Sequence, residues 1–300
     1  MHKFRIALIA VIVQLSIFAT NSLACTTFCL KNKGEVLFGK NYDWMISDGL
    51  VVVNKRGLSK RSFAEGEKNP AIWVSQYGSV TFNQYGRENP MGGMNEAGLV
   101  IELMWLDETK YPSADNRPVV DVLEWIQYNL DTAATTSEVL ANADKLRISS
   151  PVTLHYLVND KAGNTATVEF LNGKLTVRTG NSLPVATLTN DTYDRSVEYA
   201  RESKNSTTES SLDRFTRAAA KTKEFDSQPR TDKEAVDYAF EILGNVSQKN
   251  STQWSIVYDQ KRGKIYFRTR PAQRIKMIDA GAFDYSCQSP VKILNINSEL

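Results

Sequence analysis

At the junction Ser22-Leu23-Ala24-Cys25 the chain changes character, and that change constrains what can follow. Before it, Lys3 and Arg5 lead into an apolar stretch from Ile6 to about Ile17. After it, Cys25-Thr26-Thr27-Phe28-Cys29-Leu30 alternates with the period of a strand whose two faces meet different surroundings. The basic start, short apolar middle and small-x-small end of residues 1–24 make them a secretory signal, too short in its apolar part to span a membrane. Cleavage after Ala24 would make Cys25 the first of 276 mature residues. A thiol and a free α-amine would then sit on one residue.

An internal cysteine usually needs a neighbouring base such as His to become a good nucleophile. This chain has two histidines, and His2 leaves with the signal. A free α-amine, with an unperturbed pKa near ~7.7–8.0, is partly neutral at working pH. It can accept the thiol proton, directly or through one water, and later hand it to a leaving nitrogen. Two other readings of Cys25 stay open: a structural or disulfide-bonded cysteine, and the acylated cysteine of a lipoprotein. Leu23-Ala24-Cys25 partly matches a lipobox, but Ser22 stands where a lipobox prefers an aliphatic residue. Lipidation would consume the amine, so it excludes the enzyme reading and predicts a non-catalytic envelope protein.

Removing the signal takes away Lys3 and Arg5 and no acid, leaving 34 basic against 34 acidic side chains. That balance gives no reason to expect nucleic acid or an anionic membrane as partner. No later segment has the length and apolarity of a membrane span. A soluble protein of the periplasm or extracellular space is therefore expected. Metal-ligand spacing is absent, so neither a metal nor a cofactor is expected. Besides Cys25, only Cys29 and Cys287 remain; in an oxidising compartment they either pair or stay as free thiols. Asn205-Ser206-Thr207 and Asn250-Ser251-Thr252 would be glycan acceptors on a eukaryotic secretory route, although the short basic signal has a bacterial pattern.

Asn32-Lys33-Gly34 separates the first strand from a second over 35–42, which predicts a hairpin. Pairing Lys31 with Glu35 sets Cys25 opposite Asn41, Asp43 diagonal on the same face, and Lys40 on the opposite face. A bulge near Gly39 would change that. Further strands are expected at 50–55, 72–76, 79–83 and 98–105, with Met91-Gly92-Gly93-Met94-Asn95-Glu96-Ala97-Gly98 as a glycine-rich turn before the last. No helix follows that turn, so a nucleotide loop is rejected. Pro118 suits the start of one amphipathic helix, and the capping box Thr135-x-x-Glu138 opens a second. Strands resume at 152–158, 164–171, 174–178 and 184–189, the second and third split by Asn172-Gly173. Helices follow at 193–204, 211–224 and 232–243, the last opened by Thr231-x-x-Glu234, and a hairpin covers 253–259 and 263–269. Strands, helices, strands, helices, strands is the order of one α+β domain over 25–300. Two stacked, mostly antiparallel sheets with helices outside would bury both inner faces.

With these segments in hand, the chain resembles the choloylglycine hydrolase family, the penicillin V acylases and bile salt hydrolases among the N-terminal nucleophile hydrolases. The resemblance is carried by Cys25-Thr26-Thr27, Phe38-Gly39-Lys40-Asn41-Tyr42-Asp43, Gly93-Met94-Asn95-Glu96-Ala97-Gly98-Leu99, Leu154-His155-Tyr156, Thr187-Leu188-Thr189-Asn190 and Asp213-Arg214-Phe215. It implies a four-layer αββα sandwich and hydrolysis of linear amide C–N bonds through an acyl-enzyme. On it, Cys25 is similar to the nucleophile and Asp43 to the acid that orients the new amine. Asn190 resembles the side-chain oxyanion donor, and Arg214 the cation near the sulfur. Two positions depart from the commoner pattern: Lys40 replaces an Arg, and Trp105 falls where relatives place Asn or Tyr beside the oxyanion. A lysine lacks the planar fork of arginine, and an indole cannot copy an amide. Trp105 would instead offer its backbone N–H and its ring. Trp44, with Met45 and Met104, would line an apolar acyl pocket. His155 fits a strand motif and is expected to be structural. The implied substrate is a small N-acyl amide, with penicillin V or an N-acyl homoserine lactone ahead of a conjugated bile salt. The stretch between Asn190 and Arg214 lacks the insertion that builds the tetramer in Gram-positive relatives, so a homo-oligomer stays open.

Overall fold

Cys25 stands immediately before the first hairpin, β1 (Thr26–Lys31) and β2 (Val36–Asp43). The computed structural model describes residues 25–64, 66–203, 206–225 and 230–298. The signal read at 1–24 and the acceptor Asn205 lie outside them. The hairpin pairs Lys31 with Val36 and Thr26 with Asn41, one residue off the expected register. The turn is the cause. Asn32 Oδ1 accepts from the main-chain N–H of Gly34 and of Glu35, which draws Glu35 into the loop. Because strand side chains alternate, a one-residue slip changes which residues share a face. Thr27 and Lys40 now pair directly, and Lys40 lies on the same face as Cys25.

The chain continues through β3 (Leu50–Asn54), β4 (Ser59–Arg61), β5 (Ile72–Val74), β6 (Ser79–Asn83), β7 (Pro90–Asn95) and β8 (Val100–Trp105). Residues 91–95 are therefore a buried strand rather than part of a turn. The turn comes later, where Asn95 Oδ1 accepts from Ala97 and Leu99 and Gly98 takes φ 87°. After β9 (Val119–Val120) come α1 (Val122–Thr132) and α2 (Thr136–Lys145). The first starts four residues later than Pro118 suggests, because Asp121 and Glu124 form a capping box and Val119-Val120 pairs with β10 (Arg147–Ile148). The Thr135/Glu138 and Thr231/Glu234 boxes open α2 and α5 as expected.

Next come β11 (Leu154–Asn159), β12 (Thr165–Leu171), β13 (Lys174–Thr179) and β14 (Thr187–Leu188), then α3 (Tyr193–Glu202), α4 (Ser211–Phe225) and α5 (Asp232–Asn245). Asn172 and Gly173, at φ 54° and 75°, make the tight turn between β12 and β13. The last elements are β15 (Thr252–Asp259), β16 (Lys264–Thr269), β17 (Lys276–Asp279) and β18 (Lys292–Asn295). Neither β17 nor β18 is expected from the sequence pattern. Each is a four-residue strand that stands at a sheet edge.

Two antiparallel sheets result. One has the order β14-β1-β2-β15-β16-β17 and the other β13-β12-β11-β8-β7-β6-β3-β18. Phe38, Tyr42, Trp254, Ile256 and Tyr258 of the six-stranded sheet share one core with Phe82, Met94 and Met104 of the other. A second core, of Phe28, Leu30, Leu37 and Val257 against Ala218, Phe225, Ala239 and Leu243, glues α4 and α5 to the outer face of the six-stranded sheet. Trp125 of α1 stacks on Tyr156 at the outer face of the eight-stranded sheet. The layers are α, β, β, α, the four-layer sandwich expected from the sequence. Among the described residues no helix is long and apolar enough to cross a membrane.

Candidate active site

The start of β1, the ends of β2 and β8 and the start of α1 converge on one cleft. It is a half-open cavity of about 320 Å³, lined by Cys25, Tyr42, Asp43, Trp44, Tyr85, Met91, Leu103, Trp105, Asp121, Val122, Leu123, Val152 and Leu154. Its walls are overwhelmingly apolar. Of the two methionines expected there, Met45 is 74% exposed. Met104 is buried on the other face of β8, where its sulfur accepts from the Thr27 hydroxyl at 3.4 Å. Tyr42, Leu103 and Leu154 take their place, for a simple reason. The period-2 alternation of β8 sends Leu103 and Trp105 one way and Glu102 and Met104 the other.

Cys25 is buried at the cleft, and burial pushes its thiol up from the ordinary value. Lys40 is the largest opposing influence, its positive charge favouring the thiolate, while the nearby Asp43 carboxylate raises the thiol further. Lys40 is itself fully buried. Its ammonium donates to the Leu103 carbonyl and lies 3.8 Å from Glu102 Oε2. The buried Arg214 guanidinium also acts on the charge of the thiol, and Lys40 joins it there. The register slip in the first hairpin brings Lys40 to that face.

Arg214 is fully buried, unlike Arg217 one turn along α4. Its Nη1 donates to the Cys25 carbonyl at 2.8 Å and the Thr26 hydroxyl at 2.5 Å, and its Nη2 to Asn190 Oδ1 at 3.1 Å. The guanidinium therefore ties the Cys25 backbone to the Asn190 amide. With Oδ1 so engaged, the Asn190 NH₂ donates to the Trp105 carbonyl at 2.8 Å and keeps a second hydrogen. Trp105 turns its main-chain carbonyl to Asn190, while its ring lines the cleft as expected.

Asp43 is fully buried, and burial raises its carboxyl to about 6 against the pull of Arg214, Thr252 and Lys40. Its Oδ1 accepts from the Thr252 hydroxyl at 2.5 Å. Its Oδ2 is buried with no hydrogen-bond partner among the described residues. A buried acceptor left without a donor is costly and calls for an explanation. Trp44 follows at the lip, its N–H on the Ser251 carbonyl and its ring tilted against Tyr42 at 6.2 Å.

Sequence reasoning did not single out Glu102 or Tyr258. Glu102 is buried behind Lys40, accepts from Tyr258 Oη at 2.5 Å, and is pushed by burial up to about 7. The available signal was a single acid inside the apolar run Val-Ile-Glu-Leu-Met-Trp. Cys29 and Cys287 do not pair. Cys29 is buried in β1, and Cys287 is exposed beside Gly57. Asn250 sits at an exposed turn before β15.

Comparison with known proteins agrees with this geometry. The sequence profile of the linear amide C–N hydrolases, choloylglycine hydrolase family, matches residues 25–209. A penicillin V acylase of Pectobacterium atrosepticum is 24% identical over 324 residues, covering 92% of this chain and 86% of that one. The structure of a penicillin V acylase from Agrobacterium tumefaciens superposes with a TM-score of 0.79 at 28% identity, covering 91% of each chain. A conjugated bile acid hydrolase from Clostridium perfringens shares the fold, with a TM-score of 0.73 at 18% identity over 92% of this chain and 97% of that one. The chain belongs to the choloylglycine hydrolase family and is a hydrolase of linear amide carbon–nitrogen bonds.

Proposed function

We propose that this protein is an exported cysteine amidase with a penicillin V acylase-like preference, acting through Cys25 as the N-terminal residue of the mature chain. The observation that carries the reading is the unpartnered Asp43 Oδ2, buried at the end of β2 beside Cys25. Removal of residues 1–24 would free the Cys25 amine, the donor this oxygen lacks. Oriented by Asp43, that amine takes the thiol proton, and Lys40 steadies the resulting thiolate. The sulfur attacks the amide carbon, and the free hydrogen of the Asn190 amide meets the developing oxyanion. The C–N bond breaks as the amine returns the proton to the departing nitrogen. Water then attacks the thioester, releasing the carboxylic acid and restoring the thiol. Export places this chemistry in the periplasm or outside the cell.

The substrate preference rests on the cleft and on the relatives. Walls of Trp44, Trp105, Tyr42, Tyr85 and Leu103 suit an aromatic or fatty acyl group. Two of the similar proteins are penicillin V acylases. A phenoxyacetyl amide or an N-acyl homoserine lactone is therefore placed ahead of a conjugated bile salt. Purified mature protein assayed on all three side by side tests this, with the phenoxyacetyl or acyl-lactone amide expected to be turned over fastest. Bile-salt turnover alone would reverse the preference. One extra residue before Cys25 should abolish activity while leaving the fold intact by circular dichroism, because the base belongs to the terminus. Undiminished turnover would show that another group takes the proton. Mass spectrometry of the mature N-terminus should find an unmodified Cys25; an acylated one would instead establish the lipoprotein reading.

A further inference from the structure

Behind the cleft, the short segment that carries Asn190 is held at both ends by one buried pair. His155 of β11 and Glu169 of β12 are fully buried, with His155 Nδ1 3.1 Å from Glu169 Oε1. His155 Nε2 donates to the Thr189 carbonyl at 2.7 Å, one residue before Asn190. Glu169 Oε1 accepts the Tyr193 N–H at 3.0 Å, three residues after it. Thr192, the N-cap of α3, makes no side-chain cap bond, so Glu169 supplies the acceptor that this helix end needs. A carbonyl only accepts, which places a hydrogen on Nε2. The pair joins two strands, the segment after β14 and a helix through two side chains, at positions where an apolar couple would pack more simply. Ser211 supports the same segment from α4, its hydroxyl accepting the Asn190 N–H at 2.8 Å.

We propose that His155 and Glu169 are positioning residues for the amidase reaction, clamping the Thr189–Tyr193 segment so that the Asn190 amide faces the reacting carbonyl. The proposal rests on the assignment of Asn190 as oxyanion donor. An oxyanion donor acts chiefly in the transition state, so a loosened clamp lowers kcat and spares KM.

The test exploits side-chain length. A glutamine at 155 can place its amide nitrogen where Nε2 donates to Thr189, whereas an asparagine reaches only the Nδ1 position. With the amide that the mature enzyme turns over best, His155→Asn should lower kcat by about 30- to 100-fold with KM within about twofold. His155→Gln should recover most of that loss. Alkylation of Cys25 by iodoacetamide, followed by peptide mass, should proceed at the same rate in both, since neither change touches the sulfur. In an Asn190→Ala background, itself about 100-fold slower, His155→Asn should cost nothing further. Glu169→Ala, which removes the acceptor shared by His155 and Tyr193, repeats the test from the other side if His155→Asn folds poorly. An additive loss on Asn190→Ala, a loss carried by KM, or equal Asn and Gln variants would overturn the clamp while leaving the oxyanion assignment standing. An Asn190→Ala enzyme with unchanged kcat would sink that assignment, and the clamp with it.

Discussion

Lys40 shows how much one residue's surroundings decide. It is a surface-type side chain by composition, yet it is fully buried, with its ammonium donating to the Leu103 carbonyl, lying 3.8 Å from Glu102 and acting by charge on the Cys25 thiol. Such a site favours the thiolate by charge. Lys40→Met should therefore slow iodoacetamide alkylation of Cys25 at neutral pH by about tenfold or more, one pKa unit being a factor of ten in thiolate. An unchanged rate would mean the cation contributes nothing to the sulfur. Arg214 is the complementary case. Its helical spacing with Arg217 and Lys221 is compatible with a solvated face, and only the packing of α4 on β1 and β14 turns it inward. That a cation stands at position 214 is legible in the sequence. That it also grips the Cys25 carbonyl is not, because a motif carries no register.

At the scale of elements, the Gly92-Gly93 pair changes meaning between sequence and structure. Read locally, two adjacent glycines signal a turn. In the fold they lie inside β7, and Gly92 pairs with Glu102 of β8. A Cβ on Gly92 would stand 2.1–2.3 Å from the Glu102 carboxyl atoms. The missing side chain makes room for the acid that backs Lys40. Gly92→Ala should therefore destabilise the fold by about 1–3 kcal/mol, as overpacking does. Thermal unfolding should show it as a Tm roughly 3–10 °C lower. A wild-type Tm would mean that Glu102 moves aside freely. The helices were more legible. Capping boxes are local, so Thr135/Glu138 and Thr231/Glu234 could be read directly. Asp121/Glu124 was obscured by Pro118, a residue that also suits a helix start.

At the scale of the molecule, the site belongs to neither sheet alone. Cys25, Lys40, Asp43 and Asn190 come from the six-stranded sheet and its flanking loops, while Trp105, Leu103 and Glu102 come from the eight-stranded one. Assembly of the fold takes Asp43 out of water, and its carboxyl rises to about 6 as the neutral form gains. A raised carboxyl ionises only above that value. Activity that needs Asp43 charged should then climb through an acid limb in kcat/KM near pH 6, not near 4, and Asp43→Asn should lose the limb along with most of the turnover. A limb near 4 in the wild type would show that the carboxylate stays hydrated. What the sequence determined by itself was local: the start of a strand at Cys25, the alternation of the strands, two capping boxes, and an element order that admits a sandwich of two antiparallel sheets. Tertiary structure decided which cations act on the thiol, which side chains wall the cleft, and how the edge strands β17 and β18 form. The reason is physical. Periodicity and capping are satisfied within a few residues, whereas register and burial are settled only when distant segments compete for the same space.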